Sequence, residues 1–308
     1  MLLLNSAYEQ TGLQSIKALK SHTKKKNIDN EDKQNETIYL MITSDKPVVK
    51  RNDHIPRIIQ IPSKFGKIRD KRILLITKDP TMTYRKQLEV TDSDTEHLFK
   101  GIYGLKKFSS RMHNKRYQRG IYNDYDVIMA DQRIHHKLFD VLGKNFYQKN
   151  KKVPYMIQMN SPEKLEQFKK KKKIDKVVNK KTDAELDEEE VNNYYVYQQV
   201  KSILRNTTVV YTENGNTLSI KVGTTDMKSS EVMANMEAVV AFLTSEKYKL
   251  SGGFVMSFGP SVKADPKNIV KNRILNIHVK TSDSSSLPVY VASKDETTND
   301  SGNNNDNF

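Results

Sequence analysis

The chain of 308 residues contains no cysteine and no tryptophan. Without cysteine there can be no disulfide scaffold, no thiolate nucleophile and no cysteine-ligated zinc, so an oxidising compartment is not required. Long apolar runs are also missing. Met1-Leu2-Leu3-Leu4 is far short of a signal-peptide core, and no stretch approaches the ~18 apolar residues of a spanning helix. A soluble, intracellular protein is the expectation. Neither G-x-G-x-x-G nor G-x-x-x-x-G-K-[ST] occurs, so no glycine loop can bring backbone amides against a phosphate. G-x-S-x-G and H-E-x-x-H are absent as well, which removes the common serine-hydrolase and zinc-protease signatures.

What the chain does have is positive charge: 52 Lys and Arg against 37 Asp and Glu, a net +15. The segment Ser293–Phe308 opposes this with one lysine and four acids, so the remainder carries +18. An excess of this size steers polyanions and releases their counterions on contact, which points to nucleic acid as partner.

Periodicity outlines an α/β protein. Tyr8–Lys20 has the spacing of an amphipathic helix, and polar Ser21–Glu36 reads as a flexible loop. Thr37–Thr43 and Ile55–Ile61 read as strands. Arg72–Thr77, Asp126–Ala130 and Tyr155–Met159 are short apolar runs typical of strands covered on both faces, with a helix over Arg133–Leu142 that stops at Gly143. Strand-helix-strand order implies a parallel sheet. Lys164–Glu190 carries a lysine block followed by an acidic block and reads as a charged flexible linker. Beyond it come a helix over Val196–Leu204, a hairpin of Val209–Tyr211 with Thr217–Val222 around Asn214-Gly215, a helix over Ser230–Leu243, and strands at Ile274–Lys280 and Leu287–Val291.

Two carboxylates follow strands, Asp79 and Asp131, where α/β enzymes place ligands. Asp131 is better read as a helix cap and Asp79-Pro80 as a turn. Asp131, His135 and His136 supply too few ligands for a metal site. No catalytic residue, metal or cofactor is expected.

The basic clusters are more informative. Lys107, Arg111, Lys115 and Arg119 recur every four residues; if helical they form a column able to follow a phosphate backbone, and otherwise they are a solvated surface. A second patch lies in the loops around the early strands: Lys46, Lys50, Arg51, Arg57, Lys64, Lys67, Arg69, Lys71 and Arg72.

Four segments, in order, resemble the ribosomal protein L-one family. They are IPRIIQIPSKFGKIRDKRILLITKD, YDVIMADQRIHHKLFDVLGKNFYQKNKKVPYMI, LSIKVGTTDMKSSEVMANMEAVVAFL and ILNIHVKTSDSSSLPVY. The resemblance implies the two-domain fold of that family, with a split α/β domain over 1–68 plus 160–292 that binds RNA. A Rossmann-like α/β domain over 69–159 is inserted through a hinge; 164–190 is the linker and 293–308 a disordered acidic tail. It further implies RNA contacts at Lys46, Lys50, Arg51, Lys64 and Lys67, and at the last turn through Lys280, Thr281, Ser282 and Ser284. That turn departs from the ribosomal pattern: Asp283, Ser284 and Ser285 stand where Met-Gly-Pro is usual. Its serines can either contact RNA or bond their own backbone.

The form of this turn and the compact length are similar to the eukaryotic ribosome-biogenesis branch, in particular to its U3-associated small-subunit processome member. The implied role is non-enzymatic pre-rRNA processing in the nucleolus of the nucleus. The implied partners are pre-ribosomal RNA, pre-ribosomal assembly factors and ribosomal proteins, with the U3 small nucleolar ribonucleoprotein as a candidate and no membrane. A large-subunit precursor factor and a protein-binding scaffold with residual RNA contacts are the alternatives.

Overall fold

The computed structural model describes residues 6–26, 35–44, 54–149, 152–164, 190–211, 216–244 and 274–291. Strand β1 (Thr37–Ser44) alternates buried and half-buried positions along its whole length, as one covered face requires. It lies between β8 (Thr217–Thr224) and β9 (Ile274–Lys280), antiparallel to both, and β10 (Leu287–Val291) pairs with β9. The sheet β10-β9-β1-β8 is therefore assembled from both ends of the chain. Helices α1 (Ser6–Lys26) and α7 (Ser229–Thr244) cover its apolar face. There Ile16 and Leu19, with Val232, Met236 and Val239, close over Ile38, Leu40, Ile42, Ile220 and Val279.

Between β1 and β8 in sequence lies a parallel sheet, ordered β4 (Gly101–Gly104), β3 (Ile73–Thr77), β5 (Val127–Asp131), β6 (Tyr155–Ile157). All five residues of β3 are buried, because both faces are covered. Leu74, Ile76, Ile128 and Ala130 pack under α3 (Leu105–Met112), α4 (Lys115–Asp124) and α5 (His135–Lys144) through Phe108, Met112, Ile121 and Leu138. The opposite face, Ile73, Leu75, Ile102 and Met129, packs under α2 (Thr81–Leu88) and α6 (Asn193–Arg205) through Tyr84, Leu88, Val196 and Val200. A short antiparallel ribbon of β2 (Arg57–Ile59) and β7 (Thr207–Val209) joins the two bodies. Its Ile59 enters the core of the antiparallel sheet, and its Ile58 enters the core beneath α6.

Several expectations change. Helix α1 runs on to Lys26, into the stretch read as loop, and β2 shrinks to three residues between Pro56 and Pro62. Among the described residues β7 forms no ladder with β8, the strand expected as its hairpin partner: β7 pairs with β2, and β8 pairs on one side with β1 over seven residue pairs. The turn signal is local, and β7 goes instead to β2, whose Ile59 lies with Val209 in the core of the antiparallel sheet. Asn214-Gly215 itself lies outside the described residues. Helix α6 belongs to the layers of the parallel sheet, so a boundary at residue 159 divides that body. Most of 164–190, and all of 293–308, lie outside the described residues. The ends of the linker meet, with Lys164 Nζ 3.3 Å from Glu190 Oε1 and Asn192 N–H donating to the Met159 carbonyl at 2.9 Å.

Candidate nucleic-acid interface

The loop after β2 carries Lys64 and Lys67, and its shape is set from beneath. Asn235 on α7, fully buried, accepts from the Ser63 N–H at 2.9 Å and donates to the Ser63 and Val222 carbonyls at 2.8 Å each. The side chain thus stands in for a backbone partner that the loop lacks. Gly66 passes against the end of α6, so close that a Cβ there would stand 1.8 Å from the Leu204 carbonyl oxygen. Lys64 donates to Asn206 Oδ1 at 2.5 Å; partial burial, helped by the charge of Arg205, pulls its pKa below the ordinary lysine value. Lys67 is exposed. Lys46, Lys50 and Arg51 lie outside the described residues, and Arg57, expected in a basic patch, is buried with its guanidinium 5.0 Å from the centre of the Tyr211 ring.

The face of the antiparallel sheet turned away from α1 and α7 presents polar residues in register. Tyr39 on β1 is flanked by Lys221 on β8 and Lys280 on β9. In the next row Met41 lies between Ser219 and His278, and then Thr43 between Thr217 and Asn276. A tyrosine between two lysines offers one ring for stacking and two charges for phosphate. Lys221 sits 4.7 Å over the Phe65 ring, and its pKa is lowered by burial and by the nearby charge of Lys71. Lys221 is absent from the residues singled out by sequence. Only its alternation on β8 was visible there, while its proximity to Tyr39 and Lys280 depends on a register spanning most of the chain.

The last turn corrects two expected contacts. Thr281 is 1% exposed, so its hydroxyl does not face a partner. Ser284 Oγ accepts from the Thr281 N–H at 2.9 Å and donates to the Ser285 carbonyl at 3.0 Å. These residues shape the turn through local side-chain-to-backbone bonds. Ser282 and Asp283 form its exposed tip beside half-buried Lys280.

The basic column is broken. Lys107 and Arg111 lie on α3, Lys115 and Arg119 on α4, and the chain turns at His113 and Asn114, whose side chain caps α4 by accepting from the Arg116 N–H at 2.8 Å. All four basic side chains are exposed.

The acidic residues after the strands have structural work. Asp79 accepts from the Lys106 N–H at 3.0 Å and so caps α3, and Asp131 accepts from the Arg133 N–H at 2.9 Å ahead of α5. His135 is not placed for a metal: its Nε2 lies 3.2 Å from the Pro154 carbonyl in a buried site. Burial pushes its pKa below the ordinary imidazole value, partly opposed by that carbonyl and aided by His136. The unfolded chain therefore takes up a proton near pH 6.5 that the native state refuses, and stability falls as pH drops below that value. His135→Gln should flatten this dependence, read as Tm against pH between 7 and 5; an unchanged slope would exclude His135 as its source.

The sequence that builds these two sheets is similar to that of known proteins. The chain is 35% identical over 264 residues to the ribosome biogenesis protein UTP30 of Saccharomyces cerevisiae, covering 85% of this chain and 84% of that protein. It is 23% identical over 280 residues to a putative ribosome biogenesis protein of Schizosaccharomyces pombe, covering 90% of this chain and 60% of that one. The sequence profile of the ribosomal protein L1p/L10e family matches residues 19–285, a span running from α1 to the last turn. With most of its length accounted for in this way, the chain belongs to the ribosomal protein L1p/L10e family.

Proposed function

We propose that this protein is a non-enzymatic, RNA-binding ribosome-assembly factor acting in nucleolar pre-rRNA processing and small-subunit biogenesis, as part of the small-subunit processome. The observation that carries the reading is the 35% identity to a ribosome biogenesis protein over 85% of the chain. The net charge of +15 and the row Lys221, Tyr39, Lys280 support RNA as the ligand. The split antiparallel body is its main RNA-binding domain, and the parallel body is a second, inserted domain. Lys64, Lys67, Lys280 and Ser282 contact phosphate or ribose, while Thr281 and Ser284 hold the turn. Asp283 at the tip of that turn brings a negative charge where the ribosomal proteins have a neutral Gly-containing run, which favours an assembly role over residence in the mature ribosome.

Purification of the tagged protein with its cross-linked RNA should recover small-subunit precursor RNA together with U3 RNA. Recovery of large-subunit precursor RNA without U3 would overturn the assignment in favour of a large-subunit factor. On the purified protein, Lys280→Ala with Ser282→Ala should weaken RNA binding and lower the slope of log K against log salt by about 1, because one phosphate contact is lost. Tm should stay near wild type, since neither side chain is part of a core. Unchanged affinity would remove the turn from the interface.

A further inference from the structure

We infer that the α3–α4 corner of the parallel-sheet body is a second nucleic-acid surface, which grips the phosphate backbone of an RNA helix without reading its sequence. This rests on the RNA-binding reading above and adds a separate site to it. From His97 to Asn123 the chain has seven Lys or Arg and no Asp or Glu. Six of the seven, Lys106, Lys107, Arg111, Lys115, Arg116 and Arg119, lie on α3 and α4, and all six are exposed. Among the described residues none of them is in an ion pair. The nearest carboxylate in these elements' hydrogen bonding is Asp79, occupied with the Lys106 backbone N–H.

The placement runs against local helix energetics. Neither α3 nor α4 has an acid in its first turn, whereas Lys106 and Lys107 open α3 and Lys115 and Arg116 open α4. At α3 the Asp79 carboxylate already meets the first turn, but at α4 no acid offsets the cations, which there oppose the helix dipole. Such a conflict between local preference and the observed residues is expected where function imposes it. A polyanion laid across the corner meets cations of both helices together with the positive end of α4, which removes the conflict there.

The corner is rigid enough to present its charges. Phe108, Met112 and Ile121 anchor the inner faces of both helices in the core, Gln118 Nε2 donates to the Met112 carbonyl at 2.6 Å, and the Arg111 guanidinium lies 6.0 Å from the centre of the Tyr117 ring. The outer face is polar throughout and lacks an exposed aromatic to stack on bases, so it suits a duplex backbone better than splayed single strands.

The test is binding of the full chain to a short duplex RNA of arbitrary sequence across a salt series. Lys107→Gln, Lys115→Gln and Arg119→Gln together should weaken binding about tenfold or more and lower the salt slope by about 3, while Tm stays near wild type. If binding and slope are unchanged, yet Lys280→Ala still weakens binding to the RNA recovered from cells, the corner is ordinary solvated surface and the inference fails alone. If neither variant changes RNA binding, the RNA-binding reading fails with it. Loss of binding to phosphatidylserine vesicles with RNA binding intact would reassign the corner to membranes. Should the triple variant melt early, Lys107→Gln alone decides, with a slope change of about 1 expected and no change overturning the site.

Discussion

Gly66→Ala should lower Tm by roughly 6–12 °C, corresponding to about 3 kcal/mol, and should weaken RNA binding as well. The added methyl would stand 1.8 Å from the Leu204 carbonyl oxygen and 2.9 Å from its carbon, and both are backbone atoms at the end of α6. A flexible side chain could swing away from such a contact. A helix end packed into the core through Val200 and Ile203 cannot do so cheaply. Either the loop lifts or α6 shifts, and both movements disturb the seat of Lys64, which reaches Asn206 just beyond the helix. Stability and affinity should therefore fall together. If thermal melting and RNA affinity both matched wild type, the loop would not lie against α6 in solution.

Arg133→Met should cost about 3 kcal/mol of unfolding free energy, because it leaves a buried carboxylate without its counter-charge. Asp131 is 1% exposed at the end of β5. The guanidinium of Arg133 donates to both of its oxygens and to the Tyr84 hydroxyl at 2.8 Å, and lies over the Tyr84 ring. Burial opposes the charge on Arg133, yet the bonds to Asp131 prevail and hold its pKa above the ordinary arginine value. Among the described residues Asp131 would retain only the Arg133 backbone N–H. Adding Asp131→Asn to Arg133→Met should recover part of the loss, since the orphaned charge is then gone. Denaturant unfolding of the two single variants and the double variant measures this; strictly additive losses would mean that the two side chains are not coupled.

Much of this architecture could be read from residue periodicity, and the omissions have a common origin. Ile38, Leu40 and Ile42 alternate as a one-sided strand must, and ILLIT at 73–77 is apolar throughout as a two-sided strand must be. Both assignments need only local spacing. The fate of β7 was illegible because Asn214-Gly215 signals a turn but carries no information on which strand lies beside Thr207–Val209. Helix α6 has its own apolar stripe, yet nothing in that stripe states that Val196 and Val200 meet Leu75 and Met129. At the candidate interface the lysine loops were evident from composition, and the last turn followed from the family resemblance alone. The roles of Thr281 and Ser284 were not, because a hydroxyl that bonds its own turn and one that faces a partner have the same sequence signature. The membership of Lys221 in the row with Tyr39 and Lys280 was hidden for the reason that hid β7: it follows from the pairing of distant strands.

The split sheet sets the order in which a growing chain can fold. Thr43 on β1 is 174 residues from its neighbour Thr217 on β8, so at ~5–20 residues per second the ribosome leaves β1 without a partner for roughly 10–35 s. Throughout that interval Thr37–Thr43, apolar at alternate positions and uncharged, is an unpaired edge of the kind that templates aggregation. The parallel sheet has no such delay, since all four of its strands are synthesised by residue 157 and α6 by residue 205. Folding therefore proceeds from the inserted body outward, and a message broken after residue 211 would still encode that body entire while stranding β1. Protection of one short segment during synthesis, by a chaperone or by early docking of α1 over it, is a requirement built into the topology.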